Sequence, residues 1–181
     1  MFDYQRIIDR HYPEGSPLRD IYLRHCRQVA DKALSIARAK ALTLPPGEIE
    51  AAAMLHDIGI FLCDAPSICC HGSEHYLRHG MLGADLLRAE GAPEELARVA
   101  ERHTGSGISR EEIISDMLPL PADRCFMPET TLEKLICYAD KFFSKSGDMA
   151  EKPLPRVMVA MARFGPEPFA RFKELHRRLG T

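Results

Sequence analysis

Ala51-Ala52-Ala53-Met54-Leu55-His56-Asp57-Ile58-Gly59 is the stretch that decides how this chain is read. Five apolar residues suited to a buried helix run straight into an adjacent His and Asp, and a glycine closes the turn. The two polar side chains cannot both enter an apolar interior uncompensated, because burying an unpaired polar or charged group is costly. A metal ion compensates both at once, pairing with the carboxylate and taking the imidazole lone pair. The dipeptide alone is common, so its meaning depends on what else helical phase turns the same way.

Around it the periodicity is helical almost throughout, and no sustained alternation calls for a sheet. A short helix over 4–11 stops before Pro13, and Ser16-Pro17 then caps and opens a long one. Its inward stripe reads Leu18, Ile21/Tyr22, His25, Val29, Ala33 and Ile36, so His25 points with the core. Pro45-Pro46-Gly47 separates that helix from the one carrying His56. After a loop over 61–75, a helix near 76–90 bears His79, Leu82, Leu86 and Leu87, and Gly91 ends it. Pro93 opens a face of Leu96, Val99, Ala100 and His103. Ser109 with Glu112, and Thr130 with Glu133, read as capping boxes, the first flanked by a staple of Ile108 and Ile113. The second opens a helix with Leu132, Leu135, Ile136, Ala139 and Phe143, and Asp140 on the margin of that face. Pro153 and Pro155 introduce a further helix, Gly165-Pro166 break it, and a last one runs to about 179. These patterns predict a single all-α domain over 1–181. Five or six helices surround one core at about 16–148, and a helical extension at about 152–181 packs outside it or mediates a homodimer.

A chain of 181 residues buries roughly 70% of its unfolded surface. Its net charge of -2 gives no basic footprint for a nucleic-acid polymer. Neither a membrane-length apolar run nor a signal peptide is present, so the expectation is a cytoplasmic protein with no membrane partner. The cysteines, Cys26, Cys63, Cys69, Cys70, Cys125 and Cys137, then read as free thiols. Cys63, Cys69 and Cys70 with His71 and His75 lack Cys-x-x-Cys spacing and suggest a loop near an active-site mouth rather than a separate zinc site.

Collecting the polar residues that helical phase turns inward gives His25, His56, Asp57, His79, His103 and Asp140. A lone His on an apolar face is usually a satisfied core histidine, and Asp140 beside Lys141 reads equally as a half-exposed ion pair. Four independent buried histidines each finding a partner is the costlier account. One metal centre built from facing helices explains them together. His11 and His176, near the chain ends, are assigned to the surface. Mixed imidazole and carboxylate ligands suit a divalent transition metal, one or two ions, with Fe or Mn foremost and Zn, Co or Ni also compatible.

The order His25, His56-Asp57, Asp140 resembles the H…HD…D pattern of the HD-domain superfamily of metal-dependent phosphohydrolases. The strings His25-Cys26-Arg27-Gln28-Val29-Ala30, Leu55-His56-Asp57-Ile58-Gly59 and Tyr138-Ala139-Asp140-Lys141 carry it, over about 18–146. The resemblance implies an all-helical fold with those four residues on one metal. His79-Gly80-Met81-Leu82-Gly83-Ala84 and Glu101-Arg102-His103-Thr104-Gly105 are similar to HD subgroups that add two histidines and a second metal. Those subgroups include symmetric dinucleoside tetraphosphate hydrolases, the HD-GYP cyclic-dinucleotide phosphodiesterases and mixed-valent diiron oxygenases. The Gly-Tyr-Pro element is absent, and Ile60 stands where HD-GYP proteins carry Lys, which argues against cyclic-dinucleotide cleavage. The segments after His103 and Asp140 depart from the tetraphosphatase pattern.

The resemblance thus implies hydrolysis of a phosphate ester or anhydride of a small molecule, a nucleotide foremost. Asp57 would bridge two metals. Lys141, Arg102 and Arg78, each next to a ligand or candidate ligand, are the cations nominated to face the phosphoryl group. A diiron oxygenase on the same ligands and a non-catalytic nucleotide-sensing module are the alternatives.

Overall fold

Ser16 at the N-cap, its hydroxyl accepting from the Arg19 N–H at 3.2 Å, starts the longest helix, α2 (Pro17–Ala39). Two shorter elements precede and follow it, α1 (Tyr4–His11) and α3 (Pro46–Leu55). The remaining helices are α4 (His79–Ala89), α5 (Glu94–Arg102), α6 (Arg110–Ser115), α7 (Thr131–Asp140), α8 (Leu154–Ala162) and α9 (Pro166–Leu179). This computed structural model describes residues 2–180. Among them no helix is long and apolar enough to cross a membrane.

The core is the meeting of α2, α3, α5 and α7. Along α2 the buried residues are Tyr22, His25, Cys26, Val29, Ala30, Ala33, Ile36 and Ala37, a stripe at three- and four-residue spacing. Leu18 and Ile21, expected inside, are only half-buried. In α3 every residue from Ala51 to Leu55 is buried, as fits a helix covered on all sides. Small residues let α4 and α5 approach closely: a Cβ on Gly80 would lie 2.6 Å from the Ala100 carbonyl oxygen.

The N-terminal helix belongs to this core. Ile7, Ile8 and Tyr12 are fully buried, and Tyr12 stacks on Tyr22 with ring centroids 4.1 Å apart. The Tyr12 hydroxyl donates to the Ile58 carbonyl at 2.9 Å, and the Tyr22 hydroxyl donates to that of Met54. Carbonyls at a helix end have lost their helical partners. Two aromatic side chains, one just past the end of α1 and one in α2, therefore cap the turn that carries His56 and Asp57.

Several expectations are corrected here. The loop over 61–75 contains a small antiparallel hairpin, β1 (Asp64–Ala65) with β2 (Cys70–His71), too short to leave an alternating pattern. The Ser109–Glu112 capping box is complete, but the second is half formed. Thr130 accepts from the Glu133 N–H at 3.2 Å, while the Glu133 carboxylate accepts from the Glu129 N–H and Arg102. The tail does not sit outside the core. Its buried Val157, Met161, Phe172, Leu175 and Leu179 join the main cluster, and the Ser106 hydroxyl ties the Pro168 carbonyl at 2.7 Å. His176 lies 2.8 Å from the Tyr138 hydroxyl and His11 lies 3.0 Å from Glu90, so neither is a free surface histidine.

Candidate metal centre

His56 is the C-cap of α3 and His103 the C-cap of α5. At these helix ends the final-turn carbonyls are available, and each ring uses one. His56 Nδ1 lies 2.6 Å from the Ala53 carbonyl oxygen, and His103 Nδ1 lies 2.8 Å from that of Ala100. His79, opening α4 after a 3-10 turn, makes the same bond to the Tyr76 carbonyl at 2.6 Å. A carbonyl only accepts, so each Nδ1 carries the proton and each Nε2 presents a lone pair. That outer bond fixes the tautomer and ring orientation a metal ligand needs.

All six nominated residues meet, in two sets that share Asp57. One set is His25, His56, Asp57 and Asp140; the other is Asp57, His79 and His103, and all six are buried. Asp57 turns one oxygen to each. Its Oδ2 is 3.1 Å from both His25 Nε2 and His56 Nε2, and its Oδ1 is 3.4 Å from both His79 Nε2 and His103 Nε2. Asp140 Oδ1 closes the first set, 3.0 Å from His25 Nε2 and 3.6 Å from His56 Nε2. The paired imidazoles face each other nitrogen to nitrogen, at 3.3 Å for His25–His56 and 3.0 Å for His79–His103.

The donor set fits metal ions. Ligand atoms bonded at about 2.0–2.1 Å around one ion stand roughly 3 Å apart, which is the spacing seen. Asp57 Oδ1 is buried without a hydrogen-bond partner, and Oδ2 has the Lys145 ammonium on one side and two imidazole nitrogens on the other. Lone pairs facing lone pairs in a buried site require positive charge between them.

Glycine makes the meeting of the sets physically feasible. A Cβ on Gly59 would stand 2.4 Å from the His79 carbonyl oxygen and 2.5 Å from the Gly83 nitrogen. Only the bare backbone lets the start of α4 cross the turn beside Asp57.

The electrostatics follow from burial and two ammonium groups. Burial opposes the charge on Asp57, but Lys145, with Nζ 2.6 Å from Oδ2, outweighs it and holds the carboxyl well below the usual carboxylate range. Asp140 behaves likewise, with Lys141 Nζ 2.7 Å from Oδ2 as its main counter-charge. Burial, reinforced by His103, pushes His79 down to about 3, and burial lowers His103 as well. At His56 burial again works against charge, but Asp57 overrides it and raises the ring well above the ordinary histidine value. Without a metal ion, His56 Nε2 is therefore driven toward its protonated form, and a bound metal would take that proton's place.

Of the nominated cations, Lys141 is beside the centre, bonded to Asp140 and to the His103 carbonyl at 3.1 Å. Arg102 is not. Its guanidinium contacts Glu129 at 2.7 Å and Glu133 at 3.1 Å, because successive helical residues point about 100° apart. Arg78 pairs with Glu74. The cation that sequence reasoning missed is Lys145. It lies in the turns after α7, where helical phase no longer says which way a side chain points; its five-residue separation from Asp140 was the available signal.

Comparison with known proteins agrees with this geometry. The model of the HD domain matches residues 22–144. A tRNA (cytidine(56)-2'-O)-methyltransferase of Thermoplasma volcanium is 33% identical over 180 residues, 99% of this chain and 47% of that protein. An uncharacterized protein of Methanocaldococcus jannaschii is 36% identical over 121 residues, 65% of this chain and 63% of that one. The chain thus spans about half the length of the first relative and under two thirds of the second. In fold it is similar to the crystal structure of the HD domain of the Listeria monocytogenes phosphodiesterase PgpH, with TM-score 0.56, 14% identity, and coverage of 97% and 95% of the two chains. Helical architecture, a ligand pattern shared by facing helices, and a family match over two thirds of the sequence have one reading: the chain belongs to the HD domain family.

Proposed function

We propose that this protein is a metal-dependent phosphohydrolase acting on a small phosphate ester. The observation that carries the reading is Asp57, which offers one carboxylate oxygen to each of two histidine-bearing sets. His25, His56, Asp57 and Asp140 would hold one metal, and Asp57, His79 and His103 a second. Bound there, such ions supply Lewis acidity to a phosphoryl oxygen and lower the pKa of water toward neutrality. The chain's own residues do the rest. Asp57 and Asp140 are held ionised, and His79 and His103 toward the neutral form, so these four need no proton loss near pH 7, whereas His56 gives up a proton as a metal binds. Lys141 and Lys145 place two ammonium groups at the centre, positive charge of the kind a transferring phosphoryl group requires.

Nucleotides, the class the sequence brings forward, are the first esters to assay. Methyl transfer is not carried over from the Thermoplasma protein, since the match spans 47% of its length and the site here is built of metal-type ligands. The test is metal content on protein purified anaerobically, followed by hydrolysis of a phosphoester panel with Fe2+ or Mn2+ restored. About two first-row metals per chain, with turnover lost on chelation, is the expected result. Two bound metals with oxygen uptake and no phosphate release would replace this reading with the oxygenase.

A further inference from the structure

A cavity of about 440 Å³ takes His79 and Tyr76 into its wall, so it opens against the second histidine set. That volume lies in the range that holds a small organic molecule. Its other surfaces are mostly apolar: Met161, Phe164 and Pro168 from the tail on one side, and Leu77, Ile108 and Leu118 on the other, with His75, Thr104 and Ser106 among them. No lysine or arginine lines it, and its charged members are the carboxylates Glu112 and Asp116. Glu112 is held by Arg171 at 2.7 Å and by the Ser109 N–H, whereas Asp116 is exposed. The cations of the site, Lys141 and Lys145, are both engaged at Asp140 and Asp57 instead.

Charge is therefore sorted by position. The phosphoryl group belongs at the centre, and a second anionic group entering the cavity would meet carboxylates with no lysine or arginine to pair with, His75 turning its Nδ1 to the Leu77 N–H at 3.1 Å. Resting on the phosphohydrolase reading, we propose that this cavity holds the uncharged, apolar organic group of the substrate phosphoester. Polyphosphate chains and carboxylated leaving groups fit it less well. In the reaction, the oxygen of water bonds to phosphorus as the ester P–O bond breaks. The leaving oxygen takes a proton from water, giving an alcohol in the cavity and inorganic phosphate at the centre.

The test compares 1-naphthyl phosphate with 4-carboxyphenyl phosphate, whose leaving groups are of similar acidity, on the Mn2+-loaded full chain. The wild type should favour the naphthyl ester in kcat/KM by about tenfold or more, as apolar pockets discriminate. Phe164→Lys and Leu118→Lys should each move that ratio toward the carboxylated ester by about tenfold, chiefly through KM. Phe164 is 65% exposed, so its replacement leaves the core packing in place. Calorimetric binding of 1-naphthol, which needs no turnover, should be seen in the wild type and lost in both variants. A ratio unmoved by either variant, or failure of 1-naphthol to bind, overturns the assignment. Naphthol binding that depends on Leu118 and Phe164, with no ester hydrolysed, supports the cavity and overturns the phosphohydrolase reading alone.

Discussion

Arg102 and His103 are neighbours at the end of α5, yet they enter two different buried polar clusters. Arg102 joins Glu133, which is 2% exposed, and that carboxylate accepts from Arg102 at 3.1 Å and the Glu129 N–H at 2.7 Å, with the Arg98 guanidinium an ion-pair partner at 3.3 Å. His103 joins Asp57, fully buried, whose oxygens meet four imidazole nitrogens at 3.1–3.4 Å. Three of those imidazoles already donate through Nδ1 to backbone carbonyls. One cluster balances acceptors with its own donors. The other gathers acceptors, with Lys145 the ammonium at Asp57. Burial and residue type alone do not separate a structural ion-pair network from a metal centre; the donor–acceptor count does.

The hardest break of this contrast is Asp57→Asn, which keeps the shape and removes the shared charge. Bound metal should fall from about two per chain to below one, and turnover by on the order of 10³-fold, in keeping with loss of a preorganised charged group at a reacting centre. The metal-free variant should melt below the metal-free wild type, because the buried Lys145 ammonium, 2.6 Å from Oδ2, loses its counter-charge. Mass-spectrometric metal content beside calorimetric melting reads both effects. Full metal content in this variant would mean that the two sets do not depend on a bridging charge.

Gly59→Ala sharpens the contrast through the backbone. The added methyl group would meet the His79 carbonyl oxygen at 2.4 Å and the Gly83 nitrogen at 2.5 Å, neither of which can rotate aside. The start of α4 must shift, carrying His79 away from Asp57. Overpacking of this kind costs about 1–3 kcal/mol. A lower melting temperature and metal content near one per chain are the expected readings, since His25, His56 and Asp140 lie on other elements.

Much of this centre was legible in the sequence, for a physical reason. His25 and Asp140 lie within helices, His56 and His103 cap them and His79 opens one, so the apolar stripes of α2, α3, α4, α5 and α7 also state where the ligands point. What escaped lies where phase stops applying. Lys145 follows the end of α7 through turns. Arg102 was misplaced because adjacency to a ligand along a helix is not a shared direction. Tyr12 offered a hydroxyl without indicating which carbonyl it would find, and that carbonyl proved to be Ile58, beside Asp57. The tail stripe Phe172, Leu175, Leu179 has helical spacing, but only the folded chain shows that it covers α7.

The mildest change tests the other cluster. Arg102→Ala removes a donor from Glu133 but leaves Arg98 and the Glu129 N–H in place. Losing one charged hydrogen bond while two partners remain should cost about 1–2 kcal/mol, below the figure for a buried carboxylate left alone. Chemical denaturation measures that loss. Metal content and kcat/KM should stay at wild-type levels, because the guanidinium has no contact with Asp57, Asp140 or the four histidines. A large fall in kcat/KM with metal retained would return Arg102 to the substrate and show that the two clusters act as one. If only stability falls, one peptide bond separates a residue that holds the fold from one proposed to hold a metal.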